Sequence, residues 1–169
     1  VSSIKVNGEG TLPNRAFHPN DCSKPYDLYS LSKYEAEEGL FKIATETGME
    51  VVIVRPPMVY GPGVKSNFAV ITSWTTKNIP LPLGAVDNKR SFIALDNLVD
   101  FLVLCADTKR SPQAANKVFL ISDGEDVSTP DLVRKIANAY GKKTWLIPIP
   151  TPLLRFVAKL LGKSDIVNR

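Results

Sequence analysis

Two rhythms of apolar residues alternate along this chain: stretches of helical period, and short unbroken runs of β-branched residues bounded by turn chemistry. From about Asp27 to Thr47 apolar positions recur at helical spacing through Leu40, Phe41, Ile43 and Ala44, which predicts the longest helix, and Gly48 supplies its stop signal. Glu50 to Arg55 carries the run Val51-Val52-Ile53-Val54, the pattern of a strand covered on both faces as in a parallel sheet, and Pro56 and Pro57 end it. Val1 to Val6 reads as a buried strand, Asn7 to Pro25 as a long polar loop, and loops of that length are usually functional.

Beyond the Gly61-Pro62-Gly63 turn the pattern predicts a helix over Asn67 to Lys77, then a loop through Pro80-Leu81-Pro82-Leu83-Gly84. Ser91 to Leu95 reads as a short strand, Asp96 as the cap of a helix running to Ala106, and Val118 to Ser122 as another buried strand. Thr129-Pro130 and Thr151-Pro152 each place an N-cap type before a proline suited to the first turn, so two late helices are expected to open there. Alternation of apolar strands with helices argues for an α/β fold with parallel strands and right-handed crossovers.

A length of 169 residues makes one domain the default. Hydrophobic residues at 44% and charged residues at 22% match an average globular protein rather than a disordered or disulfide-framework chain. The net charge of +4 is spread among interleaved acids and bases without a basic run or stripe, which argues against nucleic-acid binding. The longest apolar stretches, near Phe101 to Ala106 and Met49 to Val54, fall well short of the ~20 residues that span a bilayer. Cys22 and Cys105 are far apart and lack metal-type spacing, so free thiols in a reducing cytoplasm are expected; His18, the single histidine, has no partner motif for a triad or metal site.

The residues that change this picture are Tyr29 and Lys33, one helical turn apart and therefore on the same face of the long helix. A phenol with a reference pKa near ~10 is a poor base at neutral pH, but an adjacent ammonium favours the phenolate. Such a pair arises by chance in roughly one chain in four, so it gains weight only from its context.

That context is four blocks in order: Ser2-Ser3-Ile4-Lys5-Val6-Asn7-Gly8, Tyr29-Ser30-Leu31-Ser32-Lys33, Arg55-Pro56-Pro57-Met58-Val59-Tyr60-Gly61-Pro62-Gly63, and Arg90-Ser91-Phe92-Ile93-Ala94-Leu95-Asp96. Together they resemble the signatures of extended short-chain dehydrogenases/reductases, specifically the nucleotide-sugar epimerase/dehydratase family, over essentially the whole chain. The resemblance implies that Ser3 binds and polarises the sugar hydroxyl or ketone, that Tyr29 transfers the proton, and that Lys33 holds the nicotinamide ribose while tuning Tyr29, with Ser2 as the fallback serine beside the cofactor. It further implies Pro57 and Met58 beside nicotinamide and sugar, Asn67, Phe68 and the segment Leu81-Pro82-Leu83 around the nucleotide, and Arg90 on the diphosphate, where a guanidinium suits bidentate contact. The asparagine frequent in the family at the Met58 position is absent.

Dehydratases of the family carry Thr-Asp-Glu where this chain has Ser3-Ile4-Lys5, and decarboxylating relatives use a glutamate at the Lys5 position, so neither activity is expected. What the resemblance leaves is an NAD-dependent 4-epimerase of a UDP-sugar such as UDP-glucose, or an NAD(P)H-dependent 4-keto reductase of the kind found with surface-polysaccharide sugars. A non-catalytic nucleotide-sugar-binding module is the reading from another class. No Gly-x-x-Gly-x-x-Gly turn for the cofactor pyrophosphate follows an early strand, and the first residue is Val1. The expectation is therefore the C-terminal half of an extended Rossmann-type fold, truncated at both ends and inactive alone. Residues of about 1–60 and 96–125 would form the catalytic part, and about 61–95 and 126–169 a small substrate-binding subdomain. The intact protein is expected to be a cytoplasmic homodimer that uses NAD, with NADP open because the glycine-rich half is not in view.

Overall fold

The computed structural model describes residues 1–12, 15–63, 67–150 and 152–153. In chain order the elements are a 3-10 turn (Ile4–Val6), α1 (Leu28–Thr47), β1 (Val52–Arg55), β2 (Met58–Tyr60), α2 (Asn67–Thr76), β3 (Arg90–Ala94), α3 (Leu95–Ala106), a second 3-10 turn (Pro112–Ala114), β4 (Lys117–Leu120), β5 (Asp126–Val127) and α4 (Thr129–Ala139). This is a mixed α/β chain whose strands pair in parallel: β1 with β4, and β2 with β3. Two compact units divide it, one of Val1–Pro62 with Ser91–Glu125, the other of Gly63–Arg90 with the described residues from Asp126 onward. Thr151, the head of the last expected helix, and the Leu161 region lie outside the described residues.

In the first unit β1 runs in register with β4 from Val52 opposite Lys117 to Arg55 opposite Leu120. Val54, Ile93 and Leu98 form a buried cluster, with Val59, Phe101 and Ile121 packed against it. Full burial of each of the three cluster side chains contributes roughly 1.5–3 kcal/mol by removing it from water. The expected strand Val1 to Val6 is corrected: the Ser2 N–H donates to Val54 O at 2.7 Å and that of Ile4 to Pro56 O at 3.0 Å, but the chain coils into the 3-10 turn at Ile4. The reciprocal bond of a parallel ladder would have to come from the nitrogen of residue 56, and proline has no N–H. Strand β2 was not expected, because three residues between Pro57 and Gly61 carry no readable period; its register with β3 sets Met58 opposite Phe92. At Gly61, with φ at 151°, an added Cβ would meet Leu95 Cβ at 3.0 Å, so the approach of this turn to α3 requires glycine.

Helix α1 begins one residue after its cap Asp27 and ends at Gly48, whose φ of 74° is the left-handed closure expected of a C-terminal glycine. Its apolar positions do not form the buried face that the periodicity implied. Leu40 and Ile43 are exposed, Phe41 and Ala44 half-buried, and the fully buried helix positions are Ser30 and Glu37. Glu37, 3% exposed, receives a two-pronged contact from Arg55, 5% exposed: Nε to Oε1 at 2.9 Å and Nη2 to Oε2 at 2.5 Å. The third guanidinium nitrogen, Nη1, donates to Asn7 Oδ1 at 2.9 Å, and Asn7 Nδ2 donates onward to the carbonyl of His18 at 3.1 Å. One buried cation therefore joins the end of β1, the middle of α1 and the start of the polar loop.

Helix α3 opens without the cap assigned to Asp96. The cap position is Ala94, and Asp96 lies in the first turn, because β3 runs into α3 with no intervening loop. Asp123, from after β4, takes over: its carboxylate accepts from Ala94 N at 3.0 Å, from Asn97 Nδ2 at 2.8 Å and from Tyr60 Oη at 2.8 Å. The Asn97 contact leads in holding Asp123 below the usual carboxylate range, while the hydrogen bond to Asp123 pushes the Tyr60 phenol up.

In the second unit α2 packs against α4, whose inward face is Pro130, Val133, Ile136 and Ala137. The cap of α4 is Ser128, one residue before the expected Thr129; its hydroxyl accepts from Asp131 N, and Asn88 Oδ1 takes the Thr129 N–H at 2.9 Å. Leu81 is buried and bridges to the 145–147 segment, donating to Trp145 O at 2.8 Å and accepting from Ile147 N at 2.9 Å.

Truncating one partner of the Arg55 network strands a buried charge, which typically costs about 3–5 kcal/mol. Glu37→Ala in the full-length protein is expected to lower unfolding stability by about that amount in urea denaturation. Glu46→Ala, which removes an exposed pair with Lys42 at 3.9 Å, is expected to shift it by less than about 1 kcal/mol.

Candidate active site

The first turn of α1 is built by a reciprocal cap. Asp27 Oδ1 accepts from Ser30 N at 2.7 Å, and Ser30 Oγ accepts from Asp27 N at 3.1 Å, so two helix-end donors are satisfied together. Tyr29 therefore stands on the first turn with its side chain 52% exposed, and Lys33 follows one turn later, half-buried. Lys33 Nζ lies 5.9 Å from the centre of the Tyr29 ring, within the reach of cation–π attraction. Tyr29 and Lys33 thus stand side by side on an accessible face of a helix whose first turn is capped.

The 3-10 turn packs against α1 and brings the serine block to this pair. Ser3 caps that turn, its hydroxyl accepting from Lys5 N at 3.3 Å. Ser2 Oγ is buried with no hydrogen-bond partner among the described residues. A buried hydroxyl in that state calls for a polar partner, and the amide or ribose of a nicotinamide cofactor is one that fits. Pro57 and Met58, both half-buried, occupy the junction of β1 and β2 in this same unit.

Lys5 received no role from the sequence, yet it is central here. Its Nζ lies 3.0 Å from Asp27 Oδ2, 5.5 Å from the Tyr26 ring centre and 5.6 Å from that of Tyr29. Partial burial pulls the Lys5 ammonium down, but its bonds to Asp27 and Tyr26 outweigh that and hold it above the usual lysine value. The Ser30 backbone N–H, then the Ser30 hydroxyl and Lys5, lower the Asp27 carboxyl to about 2. A readable signal for the cap existed in the spacing of Asp27 and Ser30; none existed for Lys5, whose partners lie more than 20 residues away.

The other residues singled out by sequence belong to the second unit. Asn67 opens α2, Phe68 follows half-buried, and Pro82 and Leu83 are half-buried in the turn after Leu81. Leu81 itself is 2% exposed, packed inside its unit with both backbone groups engaged. Arg90 is exposed at the head of β3.

Residues 1–121 match the NAD dependent epimerase/dehydratase family. The chain belongs to that family. Among curated proteins, this member of the family is 53% identical over its whole length to a UDP-glucose 4-epimerase of Vibrio cholerae, covering 51% of that protein. It is 30% identical over 143 residues to a dTDP-L-rhamnose 4-epimerase of Burkholderia thailandensis, covering 79% of this chain and 38% of that one. The chain thus spans about half the length, or less, of the curated relatives it matches. The same fold occurs in the crystal structure of UDP-glucuronic acid 4-epimerase from Bacillus cereus in complex with NAD, with a TM-score of 0.74 at 21% identity over 88% of this chain and 48% of that one. It occurs also in UDP-glucose 4-epimerase from Thermotoga maritima with UDP-glucose, with a TM-score of 0.66 at 22% identity over 88% of this chain and 49% of that one. Among the described residues no helix is long and apolar enough to cross a membrane.

A carboxyl held down by folding stabilises the fold fully above its unfolded value and loses that contribution as pH falls. Asp27 is expected to titrate near 2 by side-chain carbon NMR, well below the ordinary 3.8. Protection of the Ser30 amide should be complete at neutral pH and fade as pH is lowered from about 4 toward 2, a direction set by proton linkage. In Lys5→Met the Asp27 midpoint should rise yet stay below 3.8, because the Ser30 bonds remain.

Proposed function

We propose that this chain carries the proton-transfer centre of an NAD-dependent nucleotide-sugar 4-epimerase acting on UDP-glucose or a UDP-N-acetylhexosamine. The observation that carries the reading is the identity of 53% over the whole chain to a UDP-glucose 4-epimerase. It is supported by an exposed Tyr29 beside Lys33 on the first turns of α1, with the Ser3 turn packed against that helix.

The Tyr29 phenolate oxygen takes the proton from the sugar 4-hydroxyl as that carbon is oxidised, becoming the phenol, and returns the proton when the carbon is reduced. Being on a helix turn that the Asp27–Ser30 cap holds, it meets the substrate oxygen with little freedom left to lose. Lys33 sets positive charge beside the phenol, which favours the oxygen at the stage when it carries negative charge. Ser3 offers a hydroxyl to the same sugar oxygen and steadies it as a ketone. NAD, when bound, supplies the hydride acceptor and donor, and Ser2, Tyr29, Lys33 and Pro57 are the residues of this chain that would hold it.

The first unit is the catalytic part, with Met58 beside the sugar, and the second, with Asn67, Phe68, the segment Leu81-Pro82-Leu83 and Arg90, is the part that holds the nucleotide and diphosphate. Arg90 suits the diphosphate because its planar fork bonds two oxygens at once. The full protein works in the cytoplasm as a homodimer. Ile4 and Lys5 leave no acid for water elimination.

The test is to incubate the full-length protein with UDP-glucose or UDP-N-acetylglucosamine and catalytic NAD, and to resolve the sugars by NMR. The galacto isomer is expected without net cofactor consumption. Tyr29→Phe is expected to reduce turnover by roughly 10²–10⁴-fold, the usual scale for loss of a general acid–base group, with the fold intact by circular dichroism. No isomer from either substrate, together with NAD(P)H consumption on a 4-keto-6-deoxy sugar, would replace the epimerase with a reductase. Unchanged turnover in Tyr29→Phe would remove Tyr29 from the chemistry.

A further inference from the structure

Tyr29 is half exposed, and an exposed phenol on the first turn of a helix has rotamer freedom that proton transfer cannot use. Two ammonium groups lie against its ring. Lys33 approaches from the next turn of the same helix, at 5.9 Å from the ring centre, and Lys5 from a separate segment, at 5.6 Å. Of these two lysines, Lys5 is the one that sits on the serine-bearing turn, its own backbone N–H donating to Ser3 Oγ. Asp27 Oδ2 lies 3.0 Å from its Nζ, and the Tyr26 ring centre 5.5 Å away, so this part-exposed ammonium has an anion and a second ring as partners besides Tyr29.

We propose that Lys5 is a positioning residue for Tyr29, an ammonium paired with Asp27 that sets the phenol relative to the Ser3 turn. The inference rests on the reading of Tyr29 as the proton-transfer group. A purely structural duty at the start of α1 is already filled without Lys5, because the Asp27–Ser30 cap is reciprocal and complete. The ammonium is charged through the neutral range, since burial pulls it down but the bonds to Asp27 and Tyr26 outweigh that and hold it above the usual lysine value. This gives the lysine a duty of its own at a position where an acid would instead support elimination.

The variants are Lys5→Met, which keeps the apolar stem and removes the charge, and Lys5→Arg, which keeps the charge. The first readout needs no turnover: NMR of the full-length protein with labelled tyrosine and lysine. The native protein is expected to show one Tyr29 χ1 rotamer and Lys5 ε-methylene protons displaced upfield by the rings. Lys5→Met should average the rotamer, and Lys5→Arg should restore it. The second readout is kinetic: Lys5→Met should lower kcat roughly 3- to 10-fold, the scale of one lost cation–π contact, with KM for the UDP-sugar and the Tm unchanged, and Lys5→Arg should recover most of it. A single Tyr29 rotamer and native kcat in Lys5→Met would overturn the proposal, as would a loss that tracks a falling Tm and is not rescued by arginine. A native protein without epimerase activity would instead count against the function proposed above, while the rotamer readout still decides the role of Lys5.

Discussion

The Arg55 guanidinium imposes the constraint from which the first unit's geometry follows. It emerges at the end of a strand whose neighbours Ile53 and Val54 are core, so it is carried inside whatever the fold does. A buried cation is tolerable only when paired and hydrogen-bonded, and Glu37 and Asn7 engage all three guanidinium nitrogens. Glu37 facing inward fixes the rotation of α1 about its own axis. Positions one and two turns earlier on the same side are Lys33 and Ser30, which places Ser30 fully inside and leaves Tyr29 on the flank, half in solvent. The accessibility of the phenol is thus a consequence of an ion pair two turns away.

A second constraint comes from a missing hydrogen. Pro56 cannot return a bond to the segment lying beside β1, so the ladder begun by Ser2 and Ile4 is half made and the chain coils at once into a 3-10 turn. That coil directs Lys5 at Tyr29 and seats the Ser3 hydroxyl at the turn's start. Asp27 then serves two ends: one oxygen caps the helix bearing Tyr29 and the other holds Lys5. Helix start, serine turn and tyrosine are linked through a single carboxylate.

The elements whose signals are local were legible. The β-branched run of β1, the Gly48 stop of α1 and the extent of α2 follow from propensity and backbone chemistry within a few residues. The cap positions were off by one or two: Ser128 rather than Thr129 because its hydroxyl reaches the Asp131 N–H, and Ala94 rather than Asp96 because a strand feeds directly into the helix. The apolar period of α1 misled about its buried face, since the inward positions are a serine and a glutamate whose partners lie elsewhere. Strand β2 exists only through its pairing with β3, and nothing within three residues announces that.

What the sequence determined by itself was the alternation of strand and helix and the placing of Tyr29 and Lys33 on one face, because each depends on contacts or spacing within a turn or two of chain, and the family, because four short blocks in fixed order carry it. What only the tertiary structure decided was the company those residues keep. Arg55 meets Glu37 and Asn7 across 18 and 48 positions, and Lys5 meets Asp27 across 22. Such pairs are chosen by which segments the core brings side by side, and a linear pattern of types carries no record of that choice.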